Sequence, residues 1–317
     1  MKSMSIIIVN WNSGDQLLEC ISSIGLARQA DFVLSEVVIV DNNSSDNSLA
    51  HVKAMTDLPF QLKIISNSEN KGFGAACNQG AAAASGDYLL FLNPDTRLFE
   101  DSLSVPLAFM QRAENVDVGI VGIQLIDENN HVAKSCSRFP ALAFFFAQAL
   151  GINRLPGLRH LTQAMAEWAH DSTQDVDQLM GAFFLIRRSL FDSLNGFDER
   201  FFVYFEEVDL SLRARQAGWR SVYLAEAQAF HAGGGTSNQV KAKRLFYSLR
   251  SRILYVFKHF NPFAATLVLL TTLLIESLSR SVLAICRCSW VSLKETWGAY
   301  GMLLRWLPAW VFKGITH

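Results

Sequence analysis

Short apolar runs, rather than alternating ones, set the pattern of the first hundred residues. Ile6 to Val9, Val37 to Val40, Leu62 to Ile65 and Tyr88 to Leu92 are β-branched, aromatic or leucine-rich, and polar residues bound them. Apolar runs of this length without polar alternation predict strands covered on both faces. Between the first two, Leu17, Leu18, Ile21 and Ile24 recur at helical spacing within Asp15 to Gly25. The alanine-rich Gln79 to Ala84 predicts a further helix following Asn78. Strands separated by helices imply right-handed crossovers and a mainly parallel central sheet flanked by helices, an α/β fold. Such sheets bind ligands at the carboxyl ends of their strands.

The pattern changes near Lys241. Lys241, Lys243, Arg244, Arg250, Arg252 and Lys258 interleave with Leu245, Phe246, Tyr247, Ile253, Tyr255 and Phe257. A long apolar stretch, Phe263 to Cys286, follows, broken by Glu276 and Arg280. We therefore divide the chain into an α/β domain, 1–240, and a C-terminal amphipathic and hydrophobic helical region, 241–317. With two charges in its second half the apolar stretch is a poor spanning helix, and a helix lying in a membrane surface fits better. Trp306 and Trp310 in the tail agree with that reading. The alternative is a helical subdomain or a homodimer surface.

Composition narrows the class. A chain of 317 residues, half of them hydrophobic, suits a packed enzyme core. The formal net charge of −1 gives no reason to expect nucleic acid as a partner. Five scattered cysteines lack zinc-site spacing and fit a reduced compartment. The first apolar run starts at Ser5, which leaves no room for a signal peptide within this sequence.

Three polar loops follow the predicted strands: Asn10-Trp11-Asn12, Asp41-Asn42-Asn43-Ser44-Ser45-Asp46 and Asn93-Pro94-Asp95-Thr96. Each alone reads as a turn or helix cap. Together, at one edge of one sheet, they read as a site. Asp95 is placed to hold a hard divalent cation, magnesium or manganese. His231, before the glycine run that starts at Gly233, is its candidate partner. That glycine run would let a lid move over phosphates. Glu206-Glu207-Val208-Asp209 places three acids within four residues after an aromatic segment, Phe201 to Phe205, and ahead of a helix-like Leu210 to Ala217. Mutual repulsion and desolvation raise carboxylate pKa values toward the range of a general base. The competing reading is an acidic first helical turn, which suits Asp209 best. No Gly-x-Gly-x-x-Gly follows the first strand, and there is neither a Walker loop nor a Gly-x-Ser-x-Gly elbow.

In order and spacing, these segments resemble the family-two inverting glycosyltransferases of GT-A (Rossmann-like) fold, in the bacterial rhamnosyltransferase-like branch that builds O-antigen and related polysaccharides. The segments are Ile7 to Asn12, Ile39 to Asp46, Asn70-Lys71-Gly72-Phe73-Gly74 with Asn78, and Phe91 to Asp95. They continue through Gly181 to Arg188, Gly196 to Glu199, Tyr204 to Leu210, Gly218-Trp219 and His231. The resemblance implies a dTDP- or UDP-sugar donor, with Asp41 accepting the pyrimidine imide N–H. Asp95 and His231 would hold the cation on the diphosphate. Asn10, Asn12, Asn43, Lys71, Gly72, Asn78 and Asn93 form the rest of the implied nucleotide-sugar set. Glu207 aligns with the general base, with Glu206 and Asp209 as the other candidate catalytic acids. The implied acceptor is a glycan, lipid-linked, at the cytoplasmic face of the inner membrane, with the enzyme peripheral to it. Two positions depart from the pattern. Glu206-Glu207 stands where Glu-Asp is usual, and Gln178 stands where Trp often precedes the Gly-Ala pair. Sugar-phosphate nucleotidyltransferase is the competing enzyme class, and a catalytically inactive membrane scaffold the competing non-enzyme.

Overall fold

The computed structural model describes residues 1–28, 32–155, 157–158, 160–233 and 241–316. Strands β1 (Lys2–Asn10), β2 (Phe32–Asp41), β3 (Gln61–Ser66) and β4 (Tyr88–Leu92) lie in the order β3-β2-β1-β4, all parallel. The lack of alternation in β1, β2 and β4 has a direct cause. Ile6, Ile8, Val37, Ile39, Leu90 and Leu92 enter one core. Their immediate neighbours Ile7, Val9, Val38, Val40, Leu89 and Phe91 enter a second core on the opposite face. Successive strand residues point to opposite faces, so both sets must be apolar. The third strand differs from expectation. β3 is the sheet edge, and Leu62 to Ile65 are only half-buried.

One core is covered by α1 (Gln16–Leu26) and α4 (Ser104–Gln111), the other by α3 (Phe73–Ala83) and α7 (Glu206–Gln216). The alanine-rich helix starts at Phe73, earlier than its composition suggested, so Asn78 sits mid-helix. Its small residues let it lie close on the sheet: a Cβ on Gly80 would come within 2.4 Å of Ile7.

Beyond β4 the sheet becomes mixed. β10 (Phe183–Arg187) runs antiparallel to both β4 and β6 (Val118–Ile126), and β6 is parallel to β11 (Arg220–His231). A short β5 (Thr96–Leu98) then pairs antiparallel with the end of β11.

The C-terminal helices are α8 (Lys241–His259), α9 (Pro262–Leu270), α10 (Ser277–Cys286) and α11 (Trp290–Lys313), with a wider π-type turn at Thr271–Glu276 joining α9 to α10. A third core ties them to the α/β part, joining Phe145, Phe201 and Val208 to Leu249, Ile253, Tyr300 and Leu303. The α9–α10 run, Pro262–Cys286, is 25 residues long and apolar enough, by length and composition, to cross a membrane. Glu276 and Arg280 do not interrupt its outer face, contrary to the reading from sequence. Glu276 is buried, paired with Arg252 of α8 and with Arg280. The outward stripe Phe263, Leu267, Leu270, Leu274, Leu278 and Val282 is therefore continuous and exposed.

Candidate active site

The rim at the end of β1 and β2 is a closed hydrogen-bond network. Asn10 Nδ2 donates to Asp41 Oδ1 at 2.7 Å, to Ser48 Oγ at 2.9 Å and to Ser44 Oγ at 3.1 Å. Its Oδ1 accepts from Ser13. Asp41 Oδ2 accepts the Ser44 amide at 3.2 Å, so both oxygens are oriented before any ligand arrives. Asn12 adopts a left-handed φ of 53° and accepts the Ser45 amide at 2.7 Å, fastening one loop to the next. Asn43, at φ 62°, is exposed on that second loop. Asn and Asp tolerate this conformation better than other non-glycine residues.

Asn42 was not among the residues singled out from the sequence. It is buried, its Nδ2 donates to the Gly72 carbonyl at 3.0 Å, and its Oδ1 accepts from Asn67 at 2.9 Å. The segment before α3 is thereby held to the end of β2. Gly72 is required there: at φ 88°, a Cβ would come within 2.5 Å of the Phe202 carbonyl oxygen. Lys71 beside it is exposed. Asn78, expected in the nucleotide-sugar set, is instead engaged elsewhere. Its Nδ2 donates to the Phe197 carbonyl at 2.9 Å and to Glu199 at 3.0 Å, and its Oδ1 accepts the Phe197 amide at 2.9 Å. A side-chain amide with both ends engaged this way is a staple for the 196–199 turn.

Strand register brings Asp95 and His231 together. Thr96 is opposite His231 in the β5–β11 ladder, and the Ala232 amide donates to the Asp95 carbonyl at 3.1 Å. The Asn93 amide donates to the Ala182 carbonyl at 3.0 Å, which fixes the Asn93-Pro94-Asp95 turn against the approach to β10. His231 Nε2 then lies 3.3 Å from Asp95 Oδ1, with side-chain exposures of 11% and 13%. A cavity of about 260 Å³ bordered by Asp95, Gln16, Glu19, Arg97, Glu128 and Ala232 opens beside the pair. The glycines after Gly233 lie outside the described residues.

The acids of 206–209 fall in the first turn of α7, which begins four residues earlier than the helix read from sequence. Tyr204 and Phe205 precede it at φ 68° and 71°, two successive non-glycine residues in left-handed geometry. Such strain persists only where packing enforces it, and here the enforced turn aims Glu206 and Glu207 inward. Oε2 of each is buried without a hydrogen-bond partner among the described residues. Burial pushes both carboxyl groups above their ordinary range, and the neighbouring Glu207 charge pushes Glu206 further. The same charges, after burial itself, help raise the Cys77 thiol on α3, so the pair faces that helix.

Asp209 has the opposite environment and does not act as a free base. It is fully buried, and its oxygens meet Arg213 Nε at 2.7 Å, Lys258 Nζ at 2.5 Å and His259 Nε2 at 2.7 Å. Burial alone would raise its pKa, but the His259 hydrogen bond and the Arg213 and Lys258 charges outweigh it and hold the group low. Asp209 anchors α7 to α8. Nothing in the local sequence around 206–209 pointed to Lys258 and His259, some fifty residues away. Gln178, the second departure, is buried on β9 (Gln178–Leu179), and its Oε1 has no partner among the described residues.

Comparison with known proteins identifies the family and the fold. Residues 5–195 match the family described as glycosyl transferase family 2. The N-acetylglucosaminyl-diphospho-decaprenol L-rhamnosyltransferase of Mycobacterium tuberculosis is 26% identical over 264 residues, covering 80% of this chain and 83% of that protein. Rhamnosyltransferase WbbL of Escherichia coli is 32% identical over 176 residues, covering 55% of this chain and 62% of that one. Among solved structures, the mannosyltransferase PcManGT of Pyrobaculum calidifontis, in complex with GDP-Man and Mn2+, superposes with a TM-score of 0.54 at 16% identity, over 98% of this chain and 81% of its own. The fold is thus that of the GT-A enzymes, and the chain belongs to glycosyl transferase family 2.

Proposed function

We propose that this glycosyltransferase moves a sugar of the L-rhamnose type from a dTDP- or UDP-sugar to a hydroxyl of a lipid-linked glycan, with inversion at the anomeric carbon. One observation carries the reading. Oε2 of Glu206 and Oε2 of Glu207 are buried without a hydrogen-bond partner among the described residues, and both carboxyl groups are raised in pKa, in a chain whose family is established. The rhamnosyltransferase names of the relatives support the sugar, and the diphospho-decaprenol in one of them supports the acceptor.

In this mechanism Asp41, held by Asn10 and Ser44, accepts the imide N–H of the pyrimidine. Glu207 takes the proton of the acceptor hydroxyl as its oxygen forms a bond to the anomeric carbon. The bond from that carbon to the diphosphate breaks on the opposite face, and the nucleoside diphosphate leaves with its electron pair. Burial, and after it the neighbouring Glu207 charge, raises Glu206 and favours its neutral form, which keeps a second negative charge away from the attacking oxygen. An oxygen and an imidazole nitrogen 3.3 Å apart, with Asp95 lining a polar cavity, fit two ligands of a manganese or magnesium ion. When bound there, the ion neutralises charge on the leaving diphosphate.

The exposed stripe on α9–α10 supports the further reading that the enzyme lies on the cytoplasmic leaflet rather than through it, since the inner face of that run is tied to α8 by Arg252 and Glu276. Purified protein incubated with manganese or magnesium and a panel of dTDP- and UDP-sugars tests the activity. Cation-dependent release of dTDP or UDP from one donor is the expected result. A folded protein that binds and cleaves none of them would sink the reading. Vesicle co-sedimentation that is unchanged when Leu274 and Leu278 are replaced by serine would remove the membrane placement.

A further inference from the structure

Along α8, buried cations are matched by acids with one exception. Lys258 Nζ lies 2.6 Å from Asp198 and 2.5 Å from Asp209, and Arg252 is paired with Glu276. Arg250 is only 4% exposed, yet it forms no ion pair among the described residues. Its Nε and one Nη are buried and have no hydrogen-bond partner there. Its guanidinium carbon sits instead among three rings, 4.9 Å from the centroid of Tyr247, 5.3 Å from Phe246 and 5.5 Å from Phe202. Rings attract the cation but give its N–H groups no oxygen acceptor. Burial lowers this arginine to about 10, so it stays charged at neutral pH. A buried, charged fork with unused donors is costly unless an anion meets it.

Its position identifies the anion. Phe202, one wall of the cage, stacks on Tyr247 and accepts the Phe73 amide at 2.7 Å, against the Gly72 turn. Four residues later in the same segment is Glu206, and Ser251 Oγ bolts that segment to α8 through the Val203 carbonyl at 2.8 Å. On its other side α8 sends Ile253 and Val256 into the core shared with Ala265 and Val268 of α9, the helix that begins the apolar stripe. Arg250 therefore sits on the helix that joins the segment leading to the acidic pair with the helix that begins the apolar stripe. A guanidinium fork with two free donors matches phosphate oxygens. Resting on the lipid-linked acceptor proposed above, we infer that Arg250 binds the diphosphate joining the acceptor's first sugar to its lipid. The sugar is then directed to Glu207 and the lipid to the stripe on α9–α10.

The test uses the full chain with farnesyl diphosphate as a soluble stand-in, farnesol and dTDP as separate arms, and thermal unfolding as the readout. Farnesyl diphosphate is expected to stabilise the wild type and farnesol not to. Arg250→Gln should lose that stabilisation while keeping the dTDP response. With a lipid-linked acceptor, Arg250→Gln should raise its KM by about tenfold or more, the loss expected for charge-assisted hydrogen bonds, with kcat little changed. Arg250→Lys keeps the charge but not the fork and should fall between the two. It also decides the matter if the glutamine variant fails to fold. An equal farnesyl diphosphate response in wild type and variants, or loss of the dTDP response instead, would overturn the assignment. A wild type that ignores dTDP would count against the glycosyltransferase donor, not against Arg250.

Discussion

The two ends of this site are built differently. At the β1–β2 rim, the polar side chains satisfy one another: Asn10, Asp41, Ser44, Ser48 and Ser13 form one network, and Asn12 closes the loops above it. At the start of α7, Glu206 and Glu207 each keep a buried oxygen without a partner among the described residues, beside Asp209, whose oxygens meet Arg213, Lys258 and His259. A saturated network costs little to maintain and presents a fixed shape. An unsaturated buried acid is costly, and it persists where a reacting group must meet it. Under the proposed function, the β1–β2 rim would be a preformed mould for the donor and the α7 end the place where a proton moves.

The contrast is tested most severely at Glu207. Glu207→Gln keeps the size and removes the base, so turnover should fall on the order of 10²- to 10⁴-fold while donor affinity holds. The pH dependence sharpens this. Transfer needs the carboxylate, so the rate should fall as pH drops through a value above the ordinary Glu pKa of about 4.3. Stability should run the other way. For a carboxyl whose folded pKa is raised, the stabilising contribution is complete below the ordinary value and is lost as pH rises through the folded one. Activity gained and stability lost in one pH window is the expected signature, with the activity gain absent from the glutamine variant and the stability loss reduced to the Glu206 share. A rate profile in Glu207→Gln matching the wild type would move the base to Glu206.

Asp209 should behave as the opposite kind of acid. Asp209→Asn leaves Arg213, Lys258 and His259 around a neutral amide, and breaking a buried pair in this way costs about 3–5 kcal/mol of stability. Its lowered pKa gives the reverse pH sign: stability is present above the ordinary Asp value and lost as pH falls through the folded one. Denaturant titration of Asp209→Asn and Glu207→Gln should separate them, with the first unfolding much earlier and the second not. Equal midpoints would erase the distinction between anchor and base.

Much of the donor half was legible in the sequence because local pattern governs it. Four apolar runs gave four parallel strands, and the polar residues following three of them fell at one rim. The exceptions come from nonlocal packing. β3 carries Lys63 in its apolar run and is half-exposed because β2 pairs with it on one side only. The antiparallel insertion of β10 depends on pairing across roughly ninety residues from β4, which no local spacing records. Asp95 and His231 were paired as two candidate cation ligands, a reading the resemblance repeats, whereas their contact arises from the short β5, three residues that carry no strand pattern of their own. Asn78 stood in a recognised segment, yet the fold spends both ends of its amide on the 196–199 turn. The charges in Pro262–Cys286 looked disruptive in one dimension and proved internal in three, since Arg252 reaches Glu276 from another helix.

The smallest expected effect is at the saturated rim itself. Asp41→Asn keeps the shape but replaces an acceptor-only group with one that must donate from one end. If Oδ1 continues to accept from Asn10, the new Nδ2 faces the Ser44 amide, donor against donor, where Asp41 Oδ2 had accepted at 3.2 Å. Flipping the amide moves the same conflict to Asn10. Either way one bond of the network is lost and the pyrimidine loses a charged acceptor. Donor affinity should drop by about tenfold, the usual size for one charge-assisted hydrogen bond, while kcat at saturating donor stays near wild type. Calorimetric titration with dTDP measures it directly. Unchanged affinity in Asp41→Asn would mean that the network, well made as it is, does not face the nucleotide.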